Sequence, residues 1–330
     1  MPKYFATILL SLALLSCSDP PTEIHVGTTP FFGETAFYIA QSKGFFEDQG
    51  LKVISHSNSA GKESLEELFK GTLDIAHVAE LPIVYALAGS EEYKTGEDID
   101  LKIFANMIHV NNIQKIIARK SSDIKNPKDL INKNIGFYEG TTSEFFLDTF
   151  LLEHNIEDSL ITKVNINVAE QLNTLKEGKV DAVVSWEPHA SKMLVEMGNK
   201  VHALDTMIDH STLWLAVTSA SYTNQSPETL ETYLHAIKKA QRYIQNNPQE
   251  AQKILANKTN TSQKVIQKIW GSITYDLSLG EQMLILLEDQ HRWLRNNELV
   301  KKRSKPISIK DAIYLEAMER VHPQGISIIR

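Results

Sequence analysis

Residues 24–54 read IHVGTTPFFGETAFYIAQSKGFFEDQGLKVI, and their alternation of patterns decides the fold class. Ile24 to Thr28 is a short apolar run with β-branched residues, stopped by Thr29-Pro30, and reads as a strand. Thr35 to Gln49 places Ala36, Ile39, Ala40 and Phe46 on one face at helical spacing, and Gly50 closes the helix. Leu51 to Ile54 is a second short strand. Short strands separated by helices of this length predict a mainly parallel sheet covered on both faces.

The same rhythm continues outward. Helices are expected at Glu63–Lys70 and Leu81–Leu87, with strands at Asp74–Val78 and Leu101–Ala105. A second unit follows, with strands at Ile113–Ala118, Asn134–Phe137, Val164–Val168 and Ala182–Ser185, completed by Leu213–Val217. Its helices are Asn126–Leu130, Glu144–His154 and Ala169–Lys176. The remainder is helical. Ser226-Pro227-Glu228 opens it with a cap, a proline at the first helical position and an acid in the first turn. Leu230, Leu234, Ile237 and Ile244 follow at helical spacing, and helices at 248–257, 262–273 and 279–295 complete the tail. Two α/β units with a helical tail predict a cleft between them, where ligands lie at strand carboxyl ends.

Composition narrows the function. The 330 residues carry 34 basic and 41 acidic side chains, a formal charge of -7. A chain with no basic excess is a poor general binder of nucleic acid. The single cysteine, Cys17, excludes an intrachain disulfide and a cysteine-rich zinc site. It ends an apolar run, Phe5 to Leu15, that follows Lys3 and is too short for a permanent membrane span. Leu14-Leu15-Ser16-Cys17 resembles a bacterial lipobox. That resemblance implies a signal peptide over 1–16, acylation of Cys17 (palmitate-like chains), a lipidated tether over 17–22, and anchoring at the cell envelope through lipid only.

Several further stretches recur in the order of a known family. They are Ala36–Phe46 with Gly50-Leu51, Gly71-Thr72-Leu73-Asp74-Ile75-Ala76, Pro127-Lys128-Asp129-Leu130, Ile135-Gly136-Phe137 with Gly140-Thr141, Gly178-Lys179-Val180-Asp181-Ala182, and Trp186-Glu187-Pro188. Over residues 23–325 the chain resembles the nitrate/sulfonate/taurine group of ABC-transporter solute-binding proteins, which includes binders of thiamine-pyrimidine precursors. The resemblance implies an α/β, two-lobed periplasmic-binding-protein type II fold with a hinge of two crossover strands. Lobe 1 would take 23–110 and 221–330, and lobe 2 would take 111–220. It also implies a monomer that captures a small organic solute, sulfonate- or taurine-like or pyrimidine-like, and hands it to a membrane permease driven by an ATPase.

Candidate contacts follow from the strand ends. Gly140-Thr141-Thr142-Ser143 opens a helix, so Thr142 or Ser143 would cap it, and Thr141 or Ser143 would meet a ligand. Lys62 opens another helix, either as a solvated lysine or as a ligand contact. Trp186 is expected as a platform beside Glu187, with Phe31, Phe32 and Tyr38 walling the other side or filling the core. Thr29, Glu34, Glu80 and Asn106 complete the set. Glu34, Glu80, Glu139, Glu144, Glu187 and Asp209 lie near strand ends, with no arginine among those segments. A bare desolvated anion usually recruits arginine or a dipole cluster. The carboxylates therefore suggest a ligand with an amine, a heteroaromatic N–H or hydroxyl donors.

Catalytic and cofactor signals are poor. The 11 histidines form no metal motif, and there is no nucleophile elbow, phosphate loop or dinucleotide fingerprint. His77, His109, His189 and His210 read as hydrogen-bonded structural residues. No enzyme activity, cofactor or metal is expected. The alternatives are a sensory module for a membrane receptor or kinase, and a pyrimidine-synthase-like enzyme, whose cysteine-rich motif is absent here.

Overall fold

A computed structural model describes residues 20–90, 93, 101–205, 210–300 and 308–329. Cys17 with the segment before it, and Asp209, lie outside the described residues.

The opening stretch folds as expected. Strand β1 (Thr22–Thr28) pairs in parallel with β2 (Leu51–Ser57) and with β3 (Ile75–Val78). Helix α1 (Thr35–Ser42) joins β1 to β2 and is shorter than predicted. Gly44 has φ of 71°, outside the helical region, so the chain turns there before a short 3-10 segment at Glu47–Gln49. Helices α2 (Gly61–Phe69) and α3 (Glu80–Ala88) follow β2 and β3.

Strand β4 (Leu101–Asn111) runs on through the lobe and leads into β5 (Gln114–Arg119) of the second sheet. That sheet adds β6 (Asn134–Phe137), β7 (Thr162–Asn165), β8 (Ala182–Trp186) and β9 (Val201–Ala203), in the order β7-β6-β8-β5-β9. Helices α4 (Thr142–Glu153), α5 (Val168–Lys176) and α6 (His189–Met197) cover it. Its two faces bury separate cores, one around Phe146 and Phe150 and the other around Ile117 and Leu175.

One expectation is corrected. The run Leu213–Val217 belongs to β10 (Ser211–Ser219), which lies in the first sheet between β3 and β4. An all-apolar run reads the same in any buried sheet, so its pattern could not say that the chain had already crossed back. With β11 (Ile273–Thr274) the first sheet has the order β11-β4-β10-β3-β1-β2. Both sheets are mixed. β10 runs antiparallel to β3 and β4, and β5 runs antiparallel to β8 and β9, because the crossing strands enter reversed. The two crossings lie side by side. The Asn112 amide donates to the His210 carbonyl at 2.8 Å, and the His210 amide donates to Asn112 Oδ1 at 3.0 Å.

The tail packs on the first lobe through α7 (Ala220–Gln225), α8 (Pro227–Asn246), α9 (Pro248–Lys258), α10 (Gln263–Trp270), α11 (Glu281–Asn296) and α12 (Glu316–Val321). In α8 the buried face holds Leu230, Leu234, Ile237 and Ile244, as the spacing requires, and Pro227 stands at its start. Ser226 makes no capping hydrogen bond, contrary to expectation. Among the described residues, no helix is long and apolar enough to cross a membrane.

Candidate functional site

A cavity of about 40 Å³ lies where the strand ends of both sheets face each other. The first lobe contributes Thr29 and Phe31 after β1, Ala60 after β2, Ala79 and Pro82 after β3, and Thr212 and Trp214 on β10. The crossing and the second lobe contribute Ile113, Gln114, Thr141, Thr142 and Trp186. None of these side chains titrates in the ordinary range. The chemistry comes from three other sources.

The first is backbone. Ala60, Ala79 and Thr141 are the N-cap residues of α2, α3 and α4, and none makes a side-chain capping hydrogen bond. Alanine is a poor N-cap, since it offers the first-turn amides nothing. Three helix N-termini thus converge on one small space, and each favours negative charge or a hydrogen-bond acceptor. The second source is aromatic surface from Phe31, Trp186 and Trp214. Phe31 and Trp214 meet with ring centroids 4.8 Å apart. The third is a set of buried polar atoms without protein partners: Thr29 Oγ1, Gln114 Oε1 and Thr212 Oγ1. Unpaired buried polar atoms are costly, and a ligand is one way to satisfy them.

Of the nine contacts expected from sequence, Thr29, Phe31, Thr141 and Trp186 line the cavity. The carboxylates do not, and the acids among the described residues form no ring around it. Glu34 is fully buried behind the wall, accepting from the Thr29 amide at 3.3 Å and from Trp214 Nε1 at 3.1 Å. Glu80 is equally buried and accepts from the Leu213 amide at 3.0 Å, from Thr142 Oγ1 at 3.2 Å and from Gln290 Nε2 at 3.3 Å. Burial pushes its pKa up against those donors. Glu187 accepts from the Ser191 amide and hydroxyl, both at 3.0 Å, and so holds the start of α6. Glu144 accepts from the Gly140 amide at 2.8 Å and from the Tyr85 phenol of the other lobe at 3.0 Å. Its pKa is raised to about 7, chiefly by burial. Glu139 is exposed.

Ser143 organises its own loop, accepting from the Tyr138 amide at 3.2 Å. The side chain of Asn106 receives the Trp214 amide at 3.2 Å and donates to Ser278. Phe32 is core, and Tyr38 spends its phenol on the Thr29 carbonyl at 2.9 Å. Lys62 is neither solvated nor in the cavity. It is buried, donates to the Glu139 carbonyl across the cleft at 2.8 Å and stands 4.9 Å from the Tyr138 ring centroid.

The histidines are placed by packing and hydrogen bonds. His77 bridges Glu34 and the Tyr233 phenol, each at 2.7 Å. His189 lies edge-on to Trp186, its pKa lowered to about 4 mainly by burial, and burial also lowers His109. His210 sits edge-on to Phe146.

Sequence reasoning missed Trp214, Gln114, Thr212 and the alanine caps, and it expected Thr142 or Ser143 as the cap where Thr141 stands. The alanines carried a usable signal, because two helices here begin without a capping side chain. Trp214 carried none, sitting in a run that reads as plain core.

Known proteins share this architecture. A Bacillus subtilis (strain 168) protein, YtlA, whose name gives it a provisional binding role, is 25% identical over 254 residues, covering 73% of this chain and 72% of its own. The alkanesulfonate-binding protein SsuA from Xanthomonas axonopodis pv. citri, solved bound to MOPS, superposes with a TM-score of 0.74 at 17% identity, over 90% of this chain and 100% of that one. The desulfurization enzyme DSZB has the same fold, with a TM-score of 0.66 at 14% identity, over 92% of this chain and 99% of its own. The family model described as NMT1/THI5 like matches residues 32–251. That match spans two-thirds of the sequence and both lobes, and the chain belongs to the NMT1/THI5-like family.

Proposed function

We propose that this protein is the solute receptor of an ABC importer, held at the outer face of a membrane by lipid on Cys17. It captures a small organic solute between its lobes and delivers it to a permease. One observation carries this reading: three helix N-termini whose N-cap residues make no side-chain capping bond, drawn from both lobes, meet against three aromatic rings in a cavity lined by no titratable side chain. A site of this kind binds an acceptor-rich or singly anionic head beside an apolar body, as in a small sulfonate. It offers no lining acid or base for turnover. The cavity of about 40 Å³ has room for roughly three waters at ~10–15 Å³ each, so the lobes part to admit a solute and close on it. Closure is favoured only by contacts the closed form alone makes.

The test is a thermal-shift panel of alkanesulfonates, taurine, nitrate, pyrimidines and flavins. A ligand at a hundred times its Kd adds about 2.7 kcal/mol to stability, and the melting point rises accordingly. Trp186→Phe is expected to shrink that rise. A panel in which no small solute shifts the melting point counts against the proposal.

A further inference from the structure

We propose that Glu34 is a positioning residue for the solute, acting chiefly through Trp214, which lines the cavity. This rests on reading the cavity as a solute site. An indole N–H can only donate, and a buried one needs an acceptor. Trp214 is 4% exposed, and its Nε1 donates to Glu34 Oε1 at 3.1 Å. Two glycines leave room for the two ends of the ring. A Cβ on Gly33 would stand 2.6 Å from Trp214 Cγ, and one on Gly61 would stand 3.1 Å from Cη2. Phe31 packs against it, and the backbone amide of Trp214 is held by Asn106 Oδ1 at 3.2 Å.

The carboxylate is itself fixed. Its Oε1 also receives the amide of Thr29, a second lining residue, at 3.3 Å. Its Oε2 lies 2.7 Å from His77 Nδ1, and His77 Nε2 lies 2.7 Å from the Tyr233 phenol. A chain of hydrogen bonds thus runs from the wall through the core to α8. Two residues expected to touch ligand, Glu34 and Asn106, therefore converge on one tryptophan. Binding sites need such support, because a wall free to tilt loses the complementarity that the first contacts provide. In Glu34→Gln one carboxylate oxygen becomes an N–H donor, so either His77 changes tautomer to accept it or Thr29 and Trp214 lose their acceptor.

The indole N–H resonances of 15N-labelled protein read this directly, with Trp214 assigned by Trp214→Phe. In the wild type, the Trp214 indole proton is expected to exchange with solvent on the order of a hundredfold more slowly than a free indole. Glu34→Gln should shift that resonance and speed its exchange while leaving the Trp270 resonance in place. Gly33→Ala, which keeps the carboxylate but invades the slot, should shift it too. The Kd for MOPS should rise about tenfold in both variants. The proposal is overturned if the wild-type Trp214 proton exchanges like a free indole, or if the folded variants leave its resonance unmoved. Should Glu34→Gln not fold, Glu34→Asp, which withdraws the carboxylate by one methylene, and the wild-type exchange rate decide it. A wild type that ignores MOPS counts against the sulfonate reading alone, and the indole resonances still decide the role of Glu34.

Discussion

The phenol of Tyr138 in the second lobe donates to Glu63 Oε1 in the first at 2.8 Å. The same carboxylate oxygen accepts from Ser59 Oγ at 2.7 Å and from Asn167 Nδ2, again across the cleft, at 3.1 Å. Glu63 Oε2 receives the Ala60 amide at 2.8 Å, which ties this junction to a residue of the cavity wall. Hydrogen bonds to charged groups contribute about 1.5–3 kcal/mol. Tyr138→Phe removes one from the closed form only. Solute affinity is expected to fall about tenfold, read by calorimetry, with a smaller loss in melting temperature.

The Glu144 carboxyl is expected to make solute binding pH-dependent. Its pKa is raised from 4.5 to about 7, by burial first, against the Gly140 amide and the Tyr85 phenol, with Asp148 and Glu139 adding like charge. A raised carboxyl favours the form that keeps its proton. Its contribution is fully present below about pH 4.5 and is lost as pH rises through about 7. Affinity measured across that window should decline in the wild type and decline less in Glu144→Gln. Parallel profiles for the two proteins would rule this out.

Ala60→Ser sets stability against function. A serine N-cap stabilises a helix by about 1 kcal/mol relative to alanine. It does so by occupying a first-turn amide of α2 and adding a hydroxyl at a residue that lines the cavity. The melting temperature should rise by roughly 2–4 °C while solute affinity falls. A variant that gains stability and keeps full affinity would remove the α2 N-terminus from the site.

Cys17→Ser tests the anchor. Each buried CH2 contributes about 0.8 kcal/mol, so a variant without the proposed acyl chains is expected to leave the membrane. Fractionation of cells expressing the variant should find it with the soluble proteins. Recovery in the membrane pellet would contradict acylation.

The fold was largely legible because strand and helix periods alternate cleanly from Ile24 onward. The apolar run at 213–217 was misplaced, since burial on both faces erases any mark of which sheet a strand joins. Part of the cavity lining was legible. Thr29, Phe31, Thr141 and Trp186 follow from strand-end position, which topology sets. Glu34 and Glu80 also sit at strand ends, yet both turn into the core, where donors from distant elements (Trp214, Leu213 and Gln290) meet them. Those partners lie 133 to 210 residues away in sequence, beyond any local pattern.

The most direct test of the central claim is a calorimetric titration with an alkanesulfonate such as MOPS, followed by recovery of the ligand. A solute receptor binds one ligand per chain, returns it chemically unchanged, and loses about tenfold in affinity with Trp186→Phe. Sustained conversion of the ligand to product would instead place this chain among enzymes of the same fold. An affinity indifferent to Trp186 would mean that the cavity described here is not where the solute binds.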